Sequence, residues 1–321
     1  MRKIAVLTSG GDAPGMNAAI RGVVRCACSR GMEVYGIERG YQGLINGNLY
    51  RMDSRSVSDT VQKGGTILKT ARCPEFNTEE GIKKGADVLN AYGIEGLVVI
   101  GGDGSFRGMR DLSNKHGIIC MGIPGTIDND LGYTDYTLGF DTAVNTVLDA
   151  MNKIRDTMTS HDRACIIEVM GRHCGDIALY SGIAGGAESI IVPELPFDVD
   201  EMCNKMKKNI IKGKVSDIIV LAEGVGSCLD LKKEITERTG ITVRTVKLGY
   251  IQRGGTPSMQ DRVLAARCAD RAVELLYNDS KESRVIGIKR NKIIDLPIDE
   301  ALETKKVFNK EMLEVASRLA H

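Results

Sequence analysis

Apolar runs in this chain repeatedly end in glycine-rich polar clusters, and helical stretches follow them. Residues 4–7 run into Thr8-Ser9-Gly10-Gly11-Asp12-Ala13-Pro14-Gly15-Met16-Asn17, and residues 97–100 into Gly101-Gly102-Asp103-Gly104-Ser105. Residues 117–121 lead to Gly122-Ile123-Pro124-Gly125-Thr126-Ile127-Asp128-Asn129-Asp130. Residues 164–169 lead to Met170-Gly171-Arg172-His173-Cys174-Gly175-Asp176, and residues 242–248 to Gly249-Tyr250-Ile251-Gln252-Arg253-Gly254-Gly255. The pattern predicts further strands at 118–123, 189–192 and 217–222, a short one after Gly65, and helices at 18–30, 78–92, 106–116, 142–158, about 199–211 and 258–277. Strand, helix and strand in close succession imply right-handed crossovers and a parallel α/β sheet. In such sheets ligands bind beyond the carboxyl ends of the strands, where each polar cluster falls.

At 321 residues, 42% of them hydrophobic, the chain suits two domains rather than one core. Lys and Arg (43) nearly balance Asp and Glu (42), which leaves no global field for a nucleic acid; aromatic residues are only 4%, with no Trp, so base-stacking platforms are not expected either. Nine cysteines without a CxxC pair read as free thiols in a reducing cytoplasm. No apolar run approaches a membrane span, and residues 4–7 are too short an apolar segment for a signal peptide.

On an extended loop, residues two apart point the same way, so Thr126, Asp128 and Asp130 are expected to face one cleft. Gly11 would let the backbone approach a phosphate where a Cβ intrudes. Arg21 and Arg25 share a helix face, either solvated or holding a phosphate, and Arg72 precedes a proline in a loop where it could reach a ligand. These parts suit phosphoryl transfer, with backbone N–H groups around phosphates, Asp103 for Mg²⁺ and Asp128 as proton acceptor. The four histidines stand in neither a hydrolase nor a zinc motif, and the dinucleotide fingerprint is absent.

Five motifs, GGDAPGMNA at 10–18, GGDGS at 101–105, PGTIDND at 124–130, EVMGR at 168–172 and IQRGG at 251–255, together resemble the bacterial ATP-dependent 6-phosphofructokinases over nearly the whole chain. The resemblance implies two Rossmann-like three-layer α/β/α domains with mostly parallel sheets and the active site in the cleft between them. Residues 1–138 plus about 251–304 would bind ATP, and 139–250 plus about 305–321 would bind fructose 6-phosphate. It implies that Gly11, Arg72, Cys73, Gly102, Asp103, Gly104 and Ser105 bind ATP, with Asp103 on Mg²⁺. Asp128 would take the proton of the sugar 1-hydroxyl, Thr126 and Arg172 would handle the moving phosphoryl group, and Asp130 would support the metal. The sugar phosphate would meet Ile127, Met170, Gly171, Glu223, Tyr250, Ile251, Gln252 and Arg253, with Arg163 and Arg244 reaching in from a neighbouring subunit of a homotetramer. An effector site for ADP (activator) and phosphoenolpyruvate (inhibitor) would involve Arg21, Gly22, Val23, Val24, Arg25, Arg155, Gly186, Ala187, Glu188, Lys212, Lys214, Val215 and Ser216.

Within that resemblance, pyrophosphate-dependent relatives typically carry Asp where this chain has Gly104 and Lys where it has Gly125, so ATP is the expected donor. A catalytically silent nucleotide sensor is disfavoured because Asp128 and Arg172 are both present. Two departures stand out. Ser54 replaces a usual Arg, with Arg55 one place later; in an extended segment that shift turns a side chain to the opposite face and predicts a weakened effector response. Tyr250 replaces a common His on the 6-phosphate and brings no positive charge at neutral pH.

Overall fold

A computed structural model describes residues 1–160, 164–213 and 216–320. The strands are β1 (Lys3–Thr8), β2 (Glu33–Ile37), β3 (Leu49–Met52), β4 (Gly96–Gly101), β5 (Ile119–Pro124), β6 (Ala164–Val169), β7 (Ser189–Ile191), β8 (Ile218–Ala222), β9 (Val243–Lys247), β10 (Arg284–Lys289) and β11 (Lys292–Pro297). The helices are α1 (Met16–Ser29), α2 (Gly40–Ile45), α3 (Glu79–Ala91), α4 (Asp103–His116), α5 (Phe140–Thr159), α6 (Asp176–Ala184), α7 (Val199–Ile211), α8 (Cys228–Thr239), α9 (Met259–Tyr277), α10 (Ile298–Glu303) and α11 (Lys310–Leu319). They divide into two compact α/β units. The first holds Met1–Ile127, Leu131–Thr142 and Arg253–Lys306; the second holds Asp128–Asp130, Ala143–Gln252 and Val307–His321.

The first unit is built on a seven-stranded sheet in the order β11-β10-β5-β4-β1-β2-β3. Its interior pairs are parallel, and only the edge strands β3 and β11 run antiparallel to their neighbours. Side chains alternate faces along a strand. Ala5, Leu7, Leu97 and Val99 therefore share a core with α2, α3, α4 and α10, while α1 packs along α9 and both contact strands of the same sheet. From β1 the order runs to β2 on one side and β4 on the other, so the turns after β1 and β4 open at the point where strand order reverses.

The second unit has a four-stranded parallel sheet in the order β7-β8-β6-β9. Ala164, Ile166, Ile219, Leu221 and Val243 pack beneath α7 and α8 in its core. Here β6 lies between β8 and β9, which brings the segments after those three strands to the same end of the sheet.

Several local expectations change. No strand forms at 66–70, where the chain turns and Lys69 is left-handed. Helix α4 begins at Asp103 rather than 106, because Gly102 supplies the extended cap. Residues 54–59 form turns, with Oδ1 of Asp53 accepting from the N–H groups of Arg55 and Ser56; the face-flip argument for Ser54 and Arg55 needed an extended strand and does not apply. Residues 128–130 group with the second unit rather than the first, since Asp128 pairs with Arg172 and Asn129 bonds Asp176 there. None of the nine cysteines is in a disulfide, and six of them are buried. Among the described residues no helix is long and apolar enough to cross a membrane.

Candidate active site

In the first unit the two Gly-Gly-Asp turns come together around Ser105. A Cβ on Gly10 would stand 3.3 Å from the Ser105 hydroxyl oxygen, and one on Gly101 would crowd that hydroxyl and the carbonyl oxygen of Ser9. Only bare backbone allows both turns to close on one serine. Thr126 joins them, its Cβ 3.5 Å from where a Cβ of Gly102 would be. Gly125 N–H donates to the Gly101 carbonyl at 2.9 Å and fixes that approach. The start of α4 therefore lies beside Gly10, Gly102 and Thr126, an arrangement suited to phosphate.

Arg253 lies in this first-unit cluster, where Nη1 donates to the Asp12 carbonyl at 3.3 Å and a Cβ on Gly11 would collide with it. Arg72 is exposed and Cys73 half-buried, just before the turn Pro74–Asn77. Below the cluster, Tyr41 stacks on Phe76 at 4.0 Å and donates to the Ser105 carbonyl at 2.6 Å, bracing the start of α4.

Asp103 opens α4, half-buried, with Arg107 on both of its carboxylate oxygens. Among the described residues no three His, Cys, Asp or Glu side chains converge to cage a metal alone. Mg²⁺ commonly takes one or two carboxylates and completes its shell with phosphate oxygens and water, so a carboxylate at the lip of a phosphate turn fits it.

In the second unit the carboxylate of Asp128, only 2% exposed, receives Nε of Arg172 at 3.3 Å on Oδ2. The Arg172 side chain is otherwise 64% exposed, so its outer face can meet an anion. Arg172 is left-handed (φ 53°) and its N–H donates to Oε1 of Glu223 at 3.0 Å. Gly224 is required beside it, because any Cβ there would collide with the Arg172 carbonyl oxygen. Asn129 is also left-handed (φ 52°), which Asn tolerates better than most residues, and its amide donates to buried Asp176 at 2.8 Å. Asp128 and Asp130 group with the second unit and Thr126 with the first, and the left-handed Asn129 interrupts a fully extended run between the two carboxylates.

Some expected contact residues are interior. Ile127 is fully buried, and Gln252 spends its side chain on Met170 N–H (3.2 Å) and the Gly249 carbonyl (3.1 Å). Gly22, Val23 and Val24 are buried on α1, where Gly22 abuts Ala269 of α9, leaving half-buried Arg21 and exposed Arg25 as the side chains offered to solvent. Arg155 donates to the carbonyls of Gly185 (2.7 Å) and Gly186 (2.8 Å), close to buried Ala187 and Glu188. Lys212 is exposed and Ser216 half-buried; Met170 is half-buried and Gly171 buried; Arg244 and Ile251 are exposed, and Tyr250 is 85% exposed. Arg163, Lys214 and Val215 lie outside the described residues.

Arg107, Asp176 and Gly224 were not singled out from sequence. Arg107 sits four residues after Asp103, a spacing that signals a pair only if the helix starts at 103, and the expected start at 106 hid it. Asp176 closes the polar cluster after residues 164–169, but no spacing ties it to Asn129, and Gly224 carries no local signal, since their roles come from contacts across the fold.

The family model for Phosphofructokinase matches residues 3–276. A Clostridium botulinum protein named ATP-dependent 6-phosphofructokinase is 60% identical over 320 residues, covering 100% of both chains. A Clostridium tetani protein of the same name is also 60% identical, again over 100% of both chains. Among solved structures, phosphofructokinase from Saccharomyces cerevisiae superimposes with a TM-score of 0.88 at 35% identity, over 99% of this chain and 47% of the yeast chain, so the chain spans about half of that longer relative. With the paired phosphate turns and the Asp128–Arg172 pair at the ends of their parallel strands, a match of this extent leaves one assignment: the chain belongs to the phosphofructokinase family.

Proposed function

We propose that the chain transfers the terminal phosphoryl group of ATP to the 1-hydroxyl of fructose 6-phosphate, giving fructose 1,6-bisphosphate and ADP. The observation that carries this reading is the buried Asp128 carboxylate held by Arg172, whose outer face stays open. Asp128 accepts the hydroxyl proton as the sugar oxygen bonds to phosphorus, and the bond from phosphorus to the bridging oxygen breaks with its electron pair leaving on ADP. Arg172 and Thr126 stabilise the charge on the phosphoryl oxygens. Bound Mg²⁺, held by Asp103 with Asp130 in support, would neutralise the phosphate charge. Gly11, Arg72, Cys73 and residues 102–105 hold the nucleotide, and Glu223, Arg253 and the segment around Met170 hold the sugar phosphate.

ATP is favoured over pyrophosphate by two glycines. Among the described residues no heavy atom lies within 4 Å of where a Cβ on Gly104 would stand, so that side of the first α4 turn is open for a nucleotide. Gly125 is hemmed in, with Ile100 and Met16 side-chain carbons each 3.1 Å from its would-be Cβ, leaving little room for a lysine. The named relatives at 60% identity are ATP-dependent, which supports the same choice. A cytoplasmic homotetramer responding to ADP and phosphoenolpyruvate completes the reading, with the response weakened because Ser54 offers a phosphate no charge.

One aldolase-coupled assay tests it. Turnover with ATP should exceed turnover with pyrophosphate by at least about a hundredfold, and Asp128→Ser should lower kcat by three or more orders of magnitude while ADP binding persists. A faster pyrophosphate rate, or an Asp128→Ser variant near full activity, would refute the assignment. Adding ADP and phosphoenolpyruvate to the same assay should move half-saturation by fructose 6-phosphate only modestly.

A further inference from the structure

Asp103 is the first residue of α4, and Arg107 follows one helical turn later. The guanidinium closes on both carboxylate oxygens, Nε to Oδ2 at 2.7 Å and Nη2 to Oδ1 at 3.2 Å. A fork of this kind uses the same forward lone pairs that a divalent cation takes from a carboxylate. Two cations cannot share them at contact distance without strong repulsion. The side chains are 44% and 51% exposed, so they can part without disturbing the core, and exposed pairs are weakly held. The neighbouring space at Gly104 is open.

We propose that Arg107 is a positioning residue that occupies Asp103 while the site is empty and must yield the carboxylate when a divalent cation arrives with the nucleotide, so that it sets the metal affinity of the site. The inference rests on the reading of Asp103 as the metal-binding carboxylate. In the empty protein Arg107 keeps the carboxylate oriented toward the second turn of α4 and neutralised. On loading, the ion pair opens and the carboxylate becomes available, so part of the cation's binding free energy is spent on displacing the arginine.

The test is Mn²⁺ binding to the full-length protein in saturating ADP, with free Mn²⁺ read by electron paramagnetic resonance. Arg107→Met should bind Mn²⁺ about three- to fivefold more tightly than the unaltered chain, the range an exposed ion pair accounts for. The gain should vanish when Asp103→Asn is also present. Unchanged or weaker Mn²⁺ binding by Arg107→Met would overturn the proposal, as would a gain that survives in the Asp103→Asn background, because that is the mark of a general charge effect. If Asp103→Asn alone binds Mn²⁺ like the unaltered chain, Asp103 is not the metal carboxylate and the proposal falls with that reading. Loss of binding in Asp103→Asn with no gain in Arg107→Met would remove only the role given to Arg107.

Discussion

The proposed base, Asp128, is held by the residue that follows it. Asn129 adopts a left-handed backbone and its amide reaches Asp176 at 2.8 Å, with both side chains buried. Removing a buried acceptor costs about 1–3 kcal/mol and frees the turn that aims the carboxylate. Asp176→Ala should therefore lower kcat by about ten- to a hundredfold with little change in KM for ATP, whereas Asp176→Asn, which keeps an acceptor oxygen, should recover most of the loss. Steady-state kinetics on the two variants check this, and equal damage by both would mean that the turn is fixed by something else. The sequence exposed Asp128 through its neighbours Thr126 and Asp130, and it showed Asp176 at the end of another polar cluster, yet it was silent on the pairing of Asp176 with Asn129, forty-seven residues away along the chain. Motifs are legible because their parts are adjacent; a brace formed across the fold leaves no spacing to read.

Among elements, α5 owes its start to a carboxylate on another helix. Asp261, in the first turn of α9, accepts from Gly139 N–H at 2.9 Å, Thr142 N–H at 3.0 Å and the Thr142 hydroxyl at 2.5 Å. Burial pushes this carboxyl from 3.8 up to about 6, against the opposing pull of those hydrogen bonds. A folded-state pKa above the unfolded one means that the native state binds more protons in that interval, so the stabilising contribution is complete below about pH 4 and is lost as pH rises through about 6. The span is on the order of 2–3 kcal/mol. Subtracting the melting temperature of Asp261→Asn from that of the unaltered chain should give a difference that falls between pH 4.5 and pH 7.5; a flat difference would show that Asp261 titrates normally. Element periodicity was otherwise readable where strands are wholly buried, as at residues 97–100 and 164–169. It missed β2 and β3, and it missed the β10–β11 hairpin, whose turn places Arg290 and Asn291 in left-handed conformations. It also missed α8, which Ser227 caps by accepting from Leu229 N–H. The residues of α8 are mostly polar, and its apolar contacts reduce to Cys228, Leu231 and Ile235, too sparse a stripe to announce a helix.

At the scale of the molecule, the second unit carries exposed side chains that suit contact with another copy of the chain. Among the described residues strand β9 is the edge of its sheet, paired with β6 alone, and exposed Arg244 sits on it. Tyr250 and Ile251 follow, 85% and 56% exposed. Exposed aromatic and aliphatic side chains that follow an edge strand carrying an exposed cation suit contact with a second copy of the chain. If Arg244 serves the sugar phosphate of a neighbouring subunit, a site needs Asp128 from one chain and Arg244 from another. Two defective variants can then complement each other. Asp128→Ser and Arg244→Ala, each nearly inactive alone, should regain about a quarter of full activity when co-expressed in equal amounts, because random pairing of two subunit types in an isologous contact puts an intact Asp128 opposite an intact Arg244 in one site of four. Light scattering on the same preparations should give a mass near four chains. Activity no greater than the average of the two parents would place Arg244 in its own subunit's site or outside any site. In that case a dependence of sugar-phosphate affinity on assembly would lose its physical basis, and the exposed edge would need a different occupant.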